Sequence, residues 1–466
     1  MEWNDEPFKV RLTFDNNKTY EVESQHPQDD KFICSAVKDS TEQINYTNIF
    51  GSISSNNFEV TIYDDDNNLD IENKLSPYYN YMRVGVKVEV FISYDDKTSW
   101  DEYGTFYVTD WSNLYSNGSH DVVTIKAVDE MKYILNNDVP KLSTYSGIRA
   151  DELIIKVLTG IGVDKSRIKI SSTLNTKLLF GVAEEQKVGY FLNEICQALC
   201  AVVIINDSND ILVMPALVGY NNEYNLGKDC IDQVNNKNNN KNIYTHVKCR
   251  YQKRKGKRNG AILYDTVELE TGANDLNNLQ FNAKALSVRE LRFETDNKQI
   301  YMNGFSSYQN GIDIDVASID TIDDVDITVS GEYITSVEKY VESKINYTDH
   351  EHNTRRVSYE MYNRYVQTEK EAQAIADKMA RYIELNNKQI YIKTVLSPKI
   401  TVGDILNFDN NLLQGKYKVI ADRVVLGAGY QKNLTLIPYN LLGVWDDNKS
   451  WSDNTSWIEN IDISLK

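Results

Sequence analysis

The first 144 residues follow the period-2 pattern of half-buried β-strands. Phe8 to Phe14 alternates apolar and polar residues, and a polar turn at Asp15 to Lys18 leads into a second strand. Further short strands are predicted at Phe58–Tyr63, Val86–Tyr94, Gly104–Trp111 and Asp121–Val128. Because no helical pattern interrupts them, we predict that residues 1–144 form an N-terminal β-barrel-like domain.

Residues 145–225 change to a helical period. Apolar residues recur at helical spacing from Leu153 to Leu158, and again from Val188 to Leu199. Two apolar segments on either side of the polar turn Asp207–Asp210 then predict a hairpin. These elements together predict a small α/β domain.

Strand patterns resume after a polar segment. Asn235 to Asn242 spells NNKNNNKN, which cannot bury a face and is predicted to be a loop or linker. Later in the chain, Thr368 and Glu371 have the spacing of a capping box and are followed by an apolar helix face that reaches Ile383. We therefore predict a helix here, followed by further strands.

This second run of strands is divided into two parts. Residues 226–260 and 346–442 are assigned to a second β-barrel-like domain, and residues 261–345 to a β-rich insertion. The predicted fold class is mainly β with α+β parts: two β-barrel-like domains, a small α/β domain and an inserted β-rich region.

Residues 443–466 contain a tryptophan repeat at Trp445, Trp451 and Trp457. The step between them is even, so an extended chain would place all three rings on one face. We predict an extended C-terminal arm. Two interpretations remain open: the rings dock on a partner, for example by adding a strand to a sheet edge, or they pack against this chain's own barrel.

Composition narrows the function classes. The chain has 466 residues, which suggests about three or four domains, and 41% of them are hydrophobic, enough for packed cores. The net charge of −18 argues against binding nucleic acid by charge. It would suit a surface past which DNA slides, or serve solubility alone.

The cysteines and the N-terminal sequence indicate the cellular compartment in which the protein is assembled. The five cysteines form no CxxC pair, so neither a disulfide framework nor a zinc site is indicated, and assembly in a reducing cytoplasm is expected. The sequence begins without a signal-peptide pattern and has no run of apolar residues long enough to span a membrane.

Candidate metal sites are incomplete. His350 and His352 flank Glu351, but no third ligand is evident, and the segment is predicted to be an exposed polar loop. A second acidic segment resembles a calcium loop, yet leucines occupy its glycine and bidentate glutamate positions, which favours an acidic turn; it comprises Asp64, Asp66, Asn68 and Asp70.

No catalytic motif emerges either. Cys196 and Cys200 are expected to pack in the core, where cysteine behaves as a small hydrophobe. The sequence has no Walker-type phosphate loop, GxSxG or HExxH. We therefore expect no enzymatic activity, cofactor or metal.

A dense basic cluster stands out in this acidic chain. It comprises Lys248, Arg250 and the segment Lys253, Arg254, Lys255, Lys257 and Arg258. Gly256 and Gly260 predict a hairpin tip. The cluster is then either a solvated turn, an electrostatic contact loop for an acidic neighbour such as another copy of this chain, or a contact with DNA in transit.

Several segments in sequence order resemble a known family. They are Ile49–Ile53 (IFGSI), Phe58–Tyr63, Gly85–Val90 (GVKVEV), Gly104–Val108 (GTFYV), Ile125–Met131 (IKAVDEM) and Leu396–Leu406 (LSPKITVGDIL). This order resembles the tail hub, or baseplate hub, of phages and prophages of Gram-positive bacteria, and the central hub of contractile-tailed phages. The resemblance covers about residues 1–260 and 345–440.

The resemblance implies a mechanism. Two similar barrels per chain, in a homotrimer, would form a ring that adapts a threefold tip to a sixfold tail tube. Implied partners are the tube or distal tail protein, the tape-measure protein and a tip spike, fibre or lysin, with DNA passing through without specific binding. The implied location is a virion tail tip or baseplate, assembled in the host bacterial cytoplasm.

Two other functions remain alternatives. A receptor- or carbohydrate-binding tail-tip protein could use the aromatic side chains of the tryptophan repeat. A peptidoglycan hydrolase has less support, since the sequence shows no Cys–His peptidase arrangement and no histidine-rich zinc motif.

Overall fold

The computed structural model describes most of the chain. The described residues are 7–24, 31–41, 50–51, 53, 55–64, 66–93, 98–114, 122–184, 186–216, 219, 222–226, 231–238, 244–295, 299–345, 357–386, 388–394, 400–409, 413–426 and 431–439. Over these residues the protein is mainly β with several sheets and a few helices, which confirms the predicted fold class.

The N-terminal segment forms seven strands and one helix: β1 (Phe8–Thr13), β2 (Thr19–Glu23), β3 (Lys31–Thr41), β4 (Asn57–Asp64), β5 (Lys87–Ile92), β6 (Asp101–Leu114), β7 (Val122–Val128) and α1 (Met131–Asn136). The predicted strands are all present. β1 and β5 alternate as their sequences do, with every second side chain buried. β3 was not predicted.

The α/β segment contains β8 (Tyr145–Ser146), α2 (Ala150–Gly160), β9 (Ile168–Ile170), β10 (Phe180–Gly181), α3 (Val188–Ala198), β11 (Ala201–Ile205) and β12 (Ile211–Pro215), with two 3-10 turns at Lys165–Arg167 and Ser172–Leu174. The predicted hairpin is confirmed, since β11 pairs with β12 antiparallel. Parallel β9 completes a three-stranded sheet that packs with α2 and α3 around one apolar core.

The remaining elements are β13 (Glu223–Leu226), β14 (Ile231–Asn238), β15 (His246–Leu269), β16 (Gly272–Gln280), β17 (Ala285–Glu294), β18 (Ile300–Tyr308), β19 (Gly311–Ser318), β20 (Ile322–Lys344), β21 (Ser358–Asn363), α4 (Glu369–Asn386), β22 (Lys388–Thr394), β23 (Ile405–Asp409), β24 (Gln414–Leu426) and β25 (Gln431–Pro438). None of the described helices combines the length and apolar character needed to cross a bilayer.

One 13-stranded sheet joins both predicted barrel regions. Its main path runs β14-β22-β25-β24-β3-β4-β7-β6-β5-β1-β2, with β23 pairing β24 and β13. The junction is the antiparallel pairing of β3 with β24, from Ala36 opposite Leu426 to Thr41 opposite Ala421. Each half of the sheet encloses an apolar core of its own.

Two boundaries differ from the sequence prediction. The asparagine-rich segment was predicted to be a loop or linker, but residues 235–238 extend β14, which pairs with β22 as far as Asn238 opposite Lys388. Backbone hydrogen bonds to β22 hold these residues in a strand, although their polar sequence predicts no buried face. The predicted boundary at residue 260 falls inside β15, which belongs with β17, β20 and β21 rather than with the large sheet.

The predicted helix near residue 368 is confirmed as α4. Thr368 Oγ1 accepts from the backbone N–H of Glu371, and the Glu371 carboxylate accepts from the backbone N–H of Thr368, both at 3.2 Å. The helix buries Ala372, Ile375 and Met379 against β15 and β20.

A fully buried ion pair lies close to the β3–β24 junction. Lys432 Nζ is 3.7 Å from Asp422 Oδ2, and both side chains are almost completely shielded from solvent. Lys432 also donates to the carbonyl oxygen of Ile400. Removing one partner of such a pair leaves a buried charge uncompensated.

We expect Lys432→Met to lower the free energy of unfolding by about 3–5 kcal/mol, because it leaves the Asp422 carboxylate buried without this cation. Urea denaturation of the purified chain measures this. The double variant Lys432→Met/Asp422→Leu is expected to recover much of the loss.

The matched control is Arg423→Met, next along β24, whose side chain is largely exposed. It should cost no more than about 1 kcal/mol. Equal losses in the single and double Lys432 variants would contradict this account of the buried pair.

Candidate functional site

The basic cluster lies on a strand and not at a hairpin tip. Residues 253–258 are in the middle of β15, a strand of 24 residues, so the predicted contact loop is wrong in its local structure. Antiparallel β20 runs beside it, with Arg254 opposite Ser336 and Gly256 opposite Ile334. Continuous pairing on this side satisfies the backbone and removes the need for a turn at the glycines.

Strand alternation divides the cluster between two faces. Lys253, Lys255 and Lys257 are exposed and continue the face that carries Tyr251. Arg254 points to the opposite face and is buried, with a side-chain exposure of 2%. The cluster therefore supplies two chemically different surfaces.

Arg254 lies in a polar cleft of about 660 Å³. The ladder of β15, β20 and β21 contributes one side, while α3 with the segment before it and the β16–β17 turn contribute the others. The lining residues are Glu184, Glu194, Gln252, Arg254, Asn282, Ala283, Lys284, Ile334, Ser336, Tyr362 and Arg364.

An ion-pair network crosses this cleft. Glu184 accepts from Lys284 through one carboxylate oxygen and from Arg364 through the other. Arg364 also holds Glu194, with Nη2 at 2.5 Å from Oε2 and Nε at 3.1 Å from Oε1. Arg364 thus joins two carboxylates, and Lys284 connects the β16–β17 turn to Glu184.

The pKa of Glu184 reflects the neighbouring cations. Burial alone would raise it, but the hydrogen bond from Lys284 and the charges of Lys284, Arg364 and Arg254 lower it below the ordinary value. Burial lowers the pKa of Lys284, against the effect of its bond to Glu184, and the charges of Arg254 and Arg364 lower it further. Three cations and two carboxylates line the cleft, so positive charge is in excess here.

Arg254 has the weakest contacts in the cleft. Its Nε and Nη2 are 3.3 Å from the Gln252 side-chain oxygen, and its Nη1 is 3.4 Å from the Phe180 carbonyl oxygen. The Glu184 carboxylate is 3.9 Å away. Charge-assisted hydrogen bonds are usually about 2.7–2.9 Å long, so these contacts compensate the buried guanidinium poorly.

Two segments of the family resemblance have local structural roles. Gly51 adopts a φ of +74°, and a Cβ there would lie 2.1 Å from the Asn193 carbonyl oxygen on α3. Its N–H donates to the Ala201 carbonyl oxygen at 2.8 Å. This glycine therefore docks the N-terminal region on the α/β segment.

Asp404 fixes the turn before β23. Its carboxylate accepts from the backbone N–H of Thr401 at 2.7 Å and of Asn222 at 2.8 Å. Burial raises the pKa of Asp404 to about 6, although both hydrogen bonds oppose the shift. Asp404, in the segment LSPKITVGDIL, thus holds together two segments that are distant in sequence.

The other candidates from the sequence have separate positions. Trp445, Trp451 and Trp457 lie outside the described residues, as do His350 and His352. Within the described ranges, no group of three or more His, Cys, Asp or Glu side chains is arranged to hold a metal ion.

The acidic turn and the two cysteines are structural. Asp64 accepts from the Leu69 N–H at 2.6 Å and the Tyr20 hydroxyl at 2.9 Å, which makes it a buried turn-forming residue. Cys196 and Cys200 are both buried, as predicted, in adjacent apolar cores.

The cleft itself was not predicted from the sequence. Glu184, Lys284 and Arg364 come from three distant segments, and no spacing rule connects them. The available signal was the alternation of Val247, Cys249 and Tyr251, which, if continued, would have indicated a strand through the basic cluster.

Comparison with known proteins identifies the fold. No protein-family model and no curated protein matches the sequence. The 43 kDa tail protein of prophage MuSo2 from Shewanella oneidensis matches with a TM-score of 0.54 and 8% identity, covering 93% of this chain and 99% of that chain. A tail protein from Neisseria meningitidis MC58 matches with a TM-score of 0.52 and 10% identity, over 93% and 98%. The chain therefore has the fold of these tail proteins, and the predicted resemblance is confirmed at that level.

We expect Glu184→Gln to lower the free energy of unfolding at pH 7 by about 2 kcal/mol, because three cations then lose a shared carboxylate that is only 18% exposed. The folded pKa of Glu184 is lowered, so its stabilisation is present above the ordinary value of 4.5 and is lost as pH falls through the folded pKa.

The difference between wild type and variant should therefore shrink as pH falls below about 4.5 in urea denaturation. Glu338→Gln is the control, since Glu338 pairs with Arg250 on the same ladder but is exposed to solvent. A pH-independent difference would show that the lost charge is not the cause.

Proposed function

We propose that this chain is a non-enzymatic structural subunit of a phage or phage-like tail. Acting as a homotrimeric hub at the distal end, it would join the sixfold tail tube to the threefold tip and form the DNA-conducting channel. The fold shared with the two tail proteins supports this proposal. The hub would be assembled in the bacterial cytoplasm and carried in the virion tail tip or baseplate.

The single observation that carries the proposal is the pairing of β3 with β24. It connects two sheet halves, each with its own core, into one continuous sheet within a single chain. Three chains of this kind supply six such halves. A closed homotrimer of two-part subunits is thus compatible with a ring of sixfold character at one end and threefold symmetry at the other.

The proposed partners follow from this position. The tube or distal tail protein and the end of the tape-measure protein would contact the ring, and a spike, fibre or lysin would attach at the far side. DNA would pass without specific binding, which the net charge of −18 favours because it repels phosphates.

We expect about three copies of this chain per tail in purified particles, because one trimer completes the proposed ring. Quantitative mass spectrometry against the tube protein measures this number. About six copies would indicate a ring protein of the tube, and larger multiples would favour the alternative of a receptor- or carbohydrate-binding protein. Absence from particles would overturn the proposal.

The tryptophan arm supplies a second test. If its rings dock on the next tip component, deletion of residues 443–466 should abolish co-purification with that component while the trimer persists. Substitution of Asn448 and Asn454, which lie in the same arm between the tryptophans, is the matched control and should leave co-purification intact. Unchanged co-purification after the deletion would favour packing of the arm on this chain's own barrel.

A further inference from the structure

The polar cleft beside β15 contains a cation whose charge its surroundings do not balance. Arg254 is almost entirely shielded from solvent, yet its hydrogen bonds are 3.3 Å or longer. Burial accordingly lowers the pKa of this guanidinium. A buried charge in this condition is costly unless another group compensates it.

The carboxylates of the cleft are already committed elsewhere. Lys284 and Arg364 occupy the two oxygens of Glu184, and Arg364 occupies both oxygens of Glu194. Three cations and two carboxylates line the cleft, which leaves one net positive charge. The imbalance corresponds to a single monoanion.

Gln186, which contacts Arg364, has a buried donor without an acceptor in the described part of the chain. The Gln186 side-chain oxygen accepts from Arg364 at 2.8 Å, whereas its buried Nε2 has no hydrogen-bond partner among the described residues. Buried donors are normally satisfied. Arg254, which lines the cleft, therefore favours a ligand that accepts hydrogen bonds. Gln186 is not among the lining residues and joins the network through Arg364.

Size and charge select the class of ligand. The cleft of about 660 Å³ is of the size that accommodates a small molecule or a few protein side chains. Glu184 and Glu194 in its walls, and the acidic chain as a whole, repel a polyanion such as DNA. A single carboxylate on a protein segment fits the volume of the cleft and carries only one negative charge.

We propose that the cleft binds one carboxylate of an acidic segment of a neighbouring protein chain, with the Arg254 guanidinium as its main partner. Arg254 donates to the carboxylate oxygens, and the Glu184–Arg364–Glu194 network holds the walls in place. The site is a property of the isolated chain, so its test is independent of the proposed place in a tail.

The test is isothermal titration of the full chain with N-acetyl-glutamate amide, which carries one carboxylate, and with its neutral isostere N-acetyl-glutamine amide. The glutamate probe is expected to bind one to one in the millimolar range, at least tenfold tighter than the glutamine probe. Arg254→Gln should weaken the glutamate probe at least tenfold. Lys253→Gln, one residue away on the opposite face, should leave its affinity unchanged.

A gain-of-charge variant keeps the proposal testable if Arg254→Gln does not fold. Ser336 is exposed, lines the cleft and pairs directly with Arg254 across the ladder. Ser336→Asp is expected to supply the missing carboxylate from within the chain, raising the melting temperature and abolishing binding of the glutamate probe. Ser336→Asn is its uncharged control and should do neither.

Three results would overturn the proposal. Binding of the glutamate probe that survives Arg254→Gln or Ser336→Asp would place the carboxylate elsewhere. No binding of the glutamate probe at all would leave the cleft as an internal ion-pair network. Inorganic phosphate that binds at the cleft more tightly than the glutamate probe would identify a small inorganic anion, rather than a protein carboxylate, as the ligand.

Discussion

The pairing of β3 with β24 is the constraint on which the rest of the structure depends. It joins β3, near the start of the described chain, to β24, near its end. Between them the chain leaves the large sheet after β7 and returns with β13 and β14, then leaves again and returns with β22. The α/β segment lies between β7 and β13, and the β15–β20 ladder lies between β14 and β22. Lys38 on β3 extends the junction, because its ammonium contacts Asp207 in the α/β hairpin at 2.5 Å and the Tyr103 carbonyl oxygen at 3.0 Å.

Charged side chains that are buried or partly buried lie at three contacts between these segments. Lys38 links the large sheet to the α/β hairpin, Lys432 and Asp422 lie beneath the β3–β24 junction, and Arg364 links β21 to α3. Apolar packing alone would stabilise such contacts at least as well, since desolvation offsets much of the gain from a buried ion pair. Charges with defined partners do, however, penalise incorrect registers, and specificity of docking is the role we assign to them.

Sequence patterns predicted those elements whose stability is local or whose burial is periodic. β1 alternates cleanly, and α4 carries both its capping box and its apolar face within a short stretch. β3 and the end of β14 were not predicted, because pairing with β24 and β22, rather than a pattern in their own side chains, stabilises them as strands. The cleft escaped for a related reason: Glu184, Lys284 and Arg364 meet only through the tertiary fold, and a pattern along the chain carries no information about that meeting.

The basic segment of β15 places different charged side chains on the two faces of the strand. A strand turns successive side chains to opposite faces, so a run of basic residues becomes a buried guanidinium on one side and exposed lysines on the other. Among the described ion pairs none involves Lys253, Lys255 or Lys257, whereas Arg254 adjoins a network of carboxylates. Exposed lysines act at long range and are screened by salt, while a buried guanidinium acts at contact distance and is not. The same segment thus presents exposed lysines on one face and a buried guanidinium on the other, and the two can be changed separately by substituting alternate residues.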